Sequence, residues 1–145
     1  MKTIDIQNYT IVAICYLHIL LFVYAAASKL LDFQNFQAQL GQSPLLSAYT
    51  SAVSVGVIVS EFAIAILLAI PKFRHLGLLL SFGLMISFTA YIVIVLNFSD
   101  YIPCSCGGVL EKMTWTQHLI FNIIFILLSV LGTILLSKSP KREIS

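Results

Sequence analysis

Four apolar runs, at roughly 9–31, 47–70, 75–97 and 116–137, each have the length that spans a bilayer's hydrocarbon core as an α-helix. Crossing that core takes about 20 helical residues. Lipid offers the backbone no hydrogen-bond partner, so every amide in such a run must bond within its own segment, and a strand cannot do this alone. The expected fold class is therefore all-α, a four-helix transmembrane bundle forming one domain over 1–145. Composition agrees: 59% of the residues are apolar, above the roughly 45–50% of soluble domains. Only 10% are charged. These lie between and beyond the apolar runs, and no basic patch is left to suggest nucleic acid as a partner.

Four spans place both termini on one side of the membrane. Lys2, Lys72, Arg74, Lys138, Lys141 and Arg142 flank the ends on the side of the termini, against Lys29 and Lys112 on the other. The positive-inside rule then puts the termini in the cytoplasm. For a bacterial inner membrane, the segment between the third and fourth spans faces the periplasm, where disulfides form and persist. Lys2, the first apolar run and Ala25-Ala26-Ala27 imitate a signal peptide with its small-residue cleavage site. Asp5 offsets Lys2, however, and the apolar character continues through Leu30 and Leu31, so the first run is read as a retained span.

Polar residues inside the runs sit at helical spacing. His18, Phe22, Ala25 and Lys29 share a face of the first span, and Ser47, Ser51, Ser54, Ile58, Glu61 and Ala65 share one of the second. Ionisable groups at membrane depth turn inward, since lipid exposure costs several kcal/mol. Glu61, near mid-membrane, must be either protonated or bonded to a partner such as His18 or Lys29. A structural clasp and a proton-relay or ligand-binding role are both open for it. His18 reads first as a histidine bonded to a neighbouring helix, ahead of a direct chemical role, and Cys15 as a small buried hydrophobe. In the third span Gly77, Ser81, Gly83, Ser87 and Thr89 read as packing, with Tyr91 in the interfacial aromatic belt. His118, Asn122, Phe125 and Ser129 make the inward stripe of the fourth. Between the first two spans, Phe33, Phe36 and Leu40 recur at helical spacing in a polar stretch, 32–40, which predicts a short amphipathic helix at the outer interface ending at Gly41.

The stretch Pro103-Cys104-Ser105-Cys106-Gly107-Gly108 carries the most chemistry. Residues i and i+2 in a turn have Cα atoms about 5.5–7 Å apart, overlapping the range a disulfide accepts. The small ring would be strained and easily reduced. Closing so short a loop removes little unfolded-state entropy, so the bridge is a poor staple. A redox-active pair is favoured, with Lys112 or His118 placed to raise the thiolate fraction and Glu111 also able to tune it. Soft-metal binding, Cu(I) above all, and an inert bridge are the alternatives. Zinc is disfavoured because it wants four ligands and His118 is the only other strong one on that side. A single cysteine pair cannot relay electrons to another within the chain, so the circuit needs a partner protein, a quinone in the bundle, or both.

The segment from Pro103 through Asn122, set before the last of four spans, closely resembles the MauE-type methylamine-utilisation membrane proteins. Ala27-Ser28-Lys29-Leu30-Leu31-Asp32-Phe33, with Glu61 in the second span, is similar to the DoxX family. The first resemblance implies a membrane component that works with a periplasmic thioredoxin-like protein to mature a disulfide-containing client, such as the small subunit of methylamine dehydrogenase. The second implies quinone-linked sulfur or thiol oxidation. By this resemblance the cysteine role falls on Cys104 and Cys106, with His118 beside them. Glu61, Lys29 and His18 are the candidates for binding a cofactor, which is left open with a quinone as the suggestion. The competing class is a small transporter or soft-metal-handling protein.

Overall fold

The computed structural model describes residues 2–41, 47–98 and 115–138. Cys104, Cys106, Glu111 and Lys112 lie outside the described residues. Within them the chain is helical: α1 (Lys2–Leu31), α2 (Phe33–Gly41), α3 (Thr50–Ala69), α4 (Arg74–Phe98) and α5 (Trp115–Lys138), with single 3-10 turns at Ser47–Tyr49 and Pro71–Phe73. Four stretches, Asp5–Leu31, Ser47–Ala69, Pro71–Ile94 and Thr116–Lys138, are long and apolar enough to cross a membrane. They match the four runs expected from the sequence. This is a multi-pass membrane protein built as a four-helix bundle.

α1 packs chiefly on α3, α3 on α4, α4 on α5, and α5 back on α1, with the α1–α4 diagonal only grazing. The ring is inside out relative to a soluble bundle. His18, Lys29, Ser54, Glu61, Ser81, His118, Asn122 and Ser129 are buried, while Leu17, Leu20, Val59, Ile66, Leu79, Ile86, Leu127 and Ile134 are exposed. Lipid is as apolar as leucine, so such bundles are held by close packing and bonds between helices rather than by expulsion of water. In α1 the buried positions run Ile11, Cys15, His18, Phe22, Ala26 and Lys29, a spacing of three or four residues that keeps one face inward. In α3 the buried face starts at Ser54 and continues through Ile58, Glu61 and Ala65 to Leu68. Ser47 and Ser51, assigned to this stripe from the sequence, are exposed because the chain is still in the 3-10 turn and first turn of the helix.

The two ends of the bundle are packed differently. At the end holding the Pro71–Phe73 turn, helices approach closely. A Cβ on Gly77 would stand 2.9 Å from Leu68 Cδ2 and 3.2 Å from the Leu68 nitrogen, and one on Gly132 would stand 3.0 Å from Leu78 Cδ1 and 3.2 Å from Ile14 Cγ2. Gln7 Nε2 donates to the Leu135 carbonyl at 2.7 Å, tying α1 to α5 there. At the opposite end α2 packs against α1 and α3. Its expected amphipathic face is present, but Phe36 is buried against the bundle together with Ala26 and Ile58 instead of lying on lipid. Gln37 Nε2, 3.3 Å from Ser54 Oγ, fixes α2 to α3.

Candidate functional site

The wider end encloses a cavity of about 250 Å³. Every α-helix contributes to its wall: Phe22, Ala25 and Lys29 from α1, Phe36 from α2, Val57 and Glu61 from α3, Phe88 and Tyr91 from α4, and His118, Phe121 and Asn122 from α5. The lining is largely aromatic and aliphatic, with a small set of polar residues from α1, α3, α4 and α5, the usual composition of a site for a small apolar molecule. Tyr91, which the sequence assigns to the interfacial belt, is half-buried on this wall.

Lys29 Nζ lies 2.8 Å from Glu61 Oε1. Of the two partners the sequence offered Glu61, the structure selects Lys29. The ammonium also sits 5.8 Å from the ring centroids of Phe36 and of Phe88, within the range in which a ring face attracts a cation. Thus α1, α2, α3 and α4 converge on one charge. His118, one turn into α5, is buried and within electrostatic reach of the same ammonium.

Among the described residues, two buried polar atoms of this site have no hydrogen-bond partner, Glu61 Oε2 and Asn122 Nδ2. Glu61 is 1% exposed and Asn122 2%. A buried polar group left unpaired costs about 1–3 kcal/mol, so two beside one cavity are a specific feature of the wall. Glu61 stood out in the sequence; Asn122 appeared there only as part of an inward stripe. The signal was available, since an amide in the middle of an otherwise apolar run on the His118 face is unusual.

His18 is not part of the cavity wall. Nδ1 is 2.8 Å from the Ile14 carbonyl, Nε2 is 2.9 Å from Ser129 Oγ and 3.3 Å from the Phe125 carbonyl. A carbonyl only accepts, so Nδ1 carries a proton, and in the neutral ring Nε2 accepts the Ser129 hydroxyl's hydrogen. Phe125 meets the imidazole edge-on at 5.1 Å. These contacts make His18 a clasp between α1 and α5, deeper than the cavity. Cys15, also buried, is the one free cysteine among the described residues.

α4 ends at Phe98 and α5 begins at Trp115, so the segment carrying Cys104 and Cys106 leaves and re-enters the bundle at the cavity end. The family model described as Methylamine utilisation protein MauE matches residues 7–135, nearly the whole chain. No curated protein and no solved structure matches.

Proposed function

The chain belongs to the MauE family, and from that premise we propose that it is a membrane thiol–disulfide redox protein whose Cys104–Cys106 pair exchanges disulfides with a periplasmic thioredoxin-like partner. The client in this reading is a disulfide-containing protein, and its setting in methylamine utilisation follows the family's description. The pair carries the chemistry because a bridge across one intervening residue is strained and readily exchanged. His118 supports it from the first turn of α5, where it lines the cavity at the bundle end from which the cysteine segment departs.

The orientation follows from charge. Lys72, Arg74 and Lys138 stand at the tightly packed end, and Lys29 is the one basic residue at the other among the described residues. This bias supports cytoplasmic termini in a bacterial inner membrane and a periplasmic cysteine segment.

Exchange proceeds reversibly through a mixed disulfide: a partner thiolate attacks the Cys104–Cys106 bridge, one S–S bond forms and one breaks, and the other sulfur of the pair leaves as thiolate, which in the reverse direction returns to expel the partner. Single Cys104→Ser and Cys106→Ser substitutions leave that intermediate without its resolving thiol. One of them should accumulate a mixed disulfide with a periplasmic protein on a non-reducing gel. If neither does, and the wild-type pair stays reduced in cells and copurifies with stoichiometric copper, the soft-metal reading takes its place.

A further inference from the structure

A second cleft, of about 80 Å³, lies toward the opposite end of the bundle between α1 and the α3–α4 hairpin. Its wall is Cys15, Tyr16 and Ile19 from α1, Leu68 and Ala69 from the end of α3, and Arg74 at the start of α4. Tyr16 and Ala69 are exposed, so the cleft meets its surroundings at that rim. Helix lengths set its depth. Leu78 and Ile14 stand at one level beside Gly132; from there α4 runs about 6 Å to its start at Arg74, whereas α1 continues about 18 Å to Lys2. The apolar stretch of the hairpin's second helix begins at Pro71. Arg74 therefore stands where hydrocarbon gives way to headgroups, and the longer α1 crosses the headgroup layer beside it.

Arg74 is the half-buried cation of this cleft. Its Nε donates to the Leu68 carbonyl at 3.4 Å, which turns the guanidinium back over the end of α3. Capping that helix accounts for this one bond, since the last carbonyls of a helix lack amide partners. Both terminal NH2 groups are left without a protein partner among the described residues. No carboxylate is near enough to take them: Asp5, the acid at this end among the described residues, is about 15 Å further along α1 than Cys15. Lys72 adds a second positive charge on the same turn, its ammonium 5.6 Å from the Phe73 ring centroid. A guanidinium with its fork open matches the paired oxygens of a phosphate.

We propose that the cleft between α1 and the α3–α4 hairpin binds the phosphodiester of an anionic phospholipid, with the Arg74 fork and Lys72 on the phosphate. Charge selects this occupant: a zwitterionic headgroup would bring its own ammonium against Arg74 and Lys72, whereas an anionic one brings none. Size agrees, because one water takes about 30 Å³ of liquid volume, so a cleft of about 80 Å³ admits a phosphate and leaves the acyl chains in the bilayer. Either end of a span meets headgroups, so the site is independent of the orientation and of the redox chemistry argued above.

The purified full chain in uncharged detergent is titrated with short-chain phosphatidylglycerol, short-chain phosphatidylcholine and glycerol 3-phosphate, and the ligand held per chain is counted by native mass spectrometry. One phosphatidylglycerol per chain is expected, bound at least tenfold tighter than either of the others. Arg74→Gln should abolish the preference for the anionic lipid. Arg74→Lys, which keeps the charge and loses the fork, should weaken phosphatidylglycerol about threefold, and Lys138→Gln, which removes a charge from the same end outside the cleft wall, should leave it unchanged. Photolabelling of the wild-type chain with phosphatidylglycerol carrying a diazirine beside its headgroup keeps the test decisive if a variant folds poorly, with label expected on peptides spanning 15–19 and 68–74. Equal affinity for the two lipids, a preference that survives Arg74→Gln, an equal loss in Lys138→Gln, or label elsewhere overturns the site. Wild-type affinity in Arg74→Lys overturns the role of the fork. Glycerol 3-phosphate binding as tightly as the lipid overturns the lipid assignment in favour of a free phosphate compound.

Discussion

Lys29 Nζ and Glu61 Oε1 stand 2.8 Å apart inside the bundle, and the pair leaves the second carboxylate oxygen without a partner among the described residues. Breaking a buried pair by removing one member strands a charge and costs about 3–5 kcal/mol, whereas replacing both members by apolar residues of similar volume is near neutral. Lys29→Met and Glu61→Met should each lower resistance to denaturing detergent by that order. The double variant should recover most of the loss. A double variant no more stable than the worse single one would mean that the pair does not act as a unit.

His18 and Ser129 carry an asymmetric dependence. Removing the Ser129 hydroxyl leaves His18 Nε2 buried with only the Phe125 carbonyl at 3.3 Å, which the neutral nitrogen cannot use as an acceptor. Removing the imidazole leaves the Ser129 hydroxyl its own carbonyl, Phe125 O at 2.9 Å, and leaves the Ile14 carbonyl its helical amide. Ser129→Ala should therefore cost about 1–3 kcal/mol, and His18→Leu less, in equilibrium unfolding of the purified protein. Disulfide exchange per folded molecule should be unchanged in both. Lost exchange in a stably folded His18→Leu chain would reinstate a direct role for this histidine.

α2 is held by few contacts, chiefly Phe36 in its apolar seat and Gln37 on Ser54. Truncating a buried phenylalanine typically costs about 3–5 kcal/mol, but here the loss falls on a nine-residue helix at the bundle's edge. Local opening is the expected result. Phe36→Ala should speed proteinase K cleavage within 32–46 severalfold while shifting the global unfolding temperature little. Unchanged cleavage would show that Phe36 does not anchor the helix.

Periodicity and length carried the architecture, because a span must be a helix and an ionisable group within it must turn inward. The faces of α1 and α5 could be read this way, from His18 to Lys29 and from His118 to Ser129. Which face meets which was not legible. Glu61 had two candidate partners, His18 and Lys29, and only the rotation of α1 between α3 and α5 gives Lys29 to α3 and His18 to Ser129. The cavity was equally hidden, because it arises from α2 folding back on the bundle and from Tyr91 turning inward, neither of which leaves a periodic trace. Asn122 belonged to a recognisable stripe, but an amide on a stripe looks the same whether paired or not.

The tight end of the bundle ranks its glycines. A methyl group on Gly77 meets Leu68 Cδ2 at 2.9 Å and also the Leu68 backbone nitrogen at 3.2 Å, and backbone cannot swing aside. On Gly132 the obstacles are the side-chain ends of Leu78 at 3.0 Å and Ile14 at 3.2 Å, which can shift by a few tenths of an ångström. Gly83 has nothing within 4 Å of the same methyl, so there alanine brings only its better helix propensity, about 1 kcal/mol. Overpacking costs about 1–3 kcal/mol. Stability toward denaturing detergent should then rank Gly83→Ala at or above wild type, Gly132→Ala slightly below, and Gly77→Ala lowest. An order with Gly132→Ala below Gly77→Ala would place the closest helix approach between α5 and its neighbours instead of in the α3–α4 hairpin.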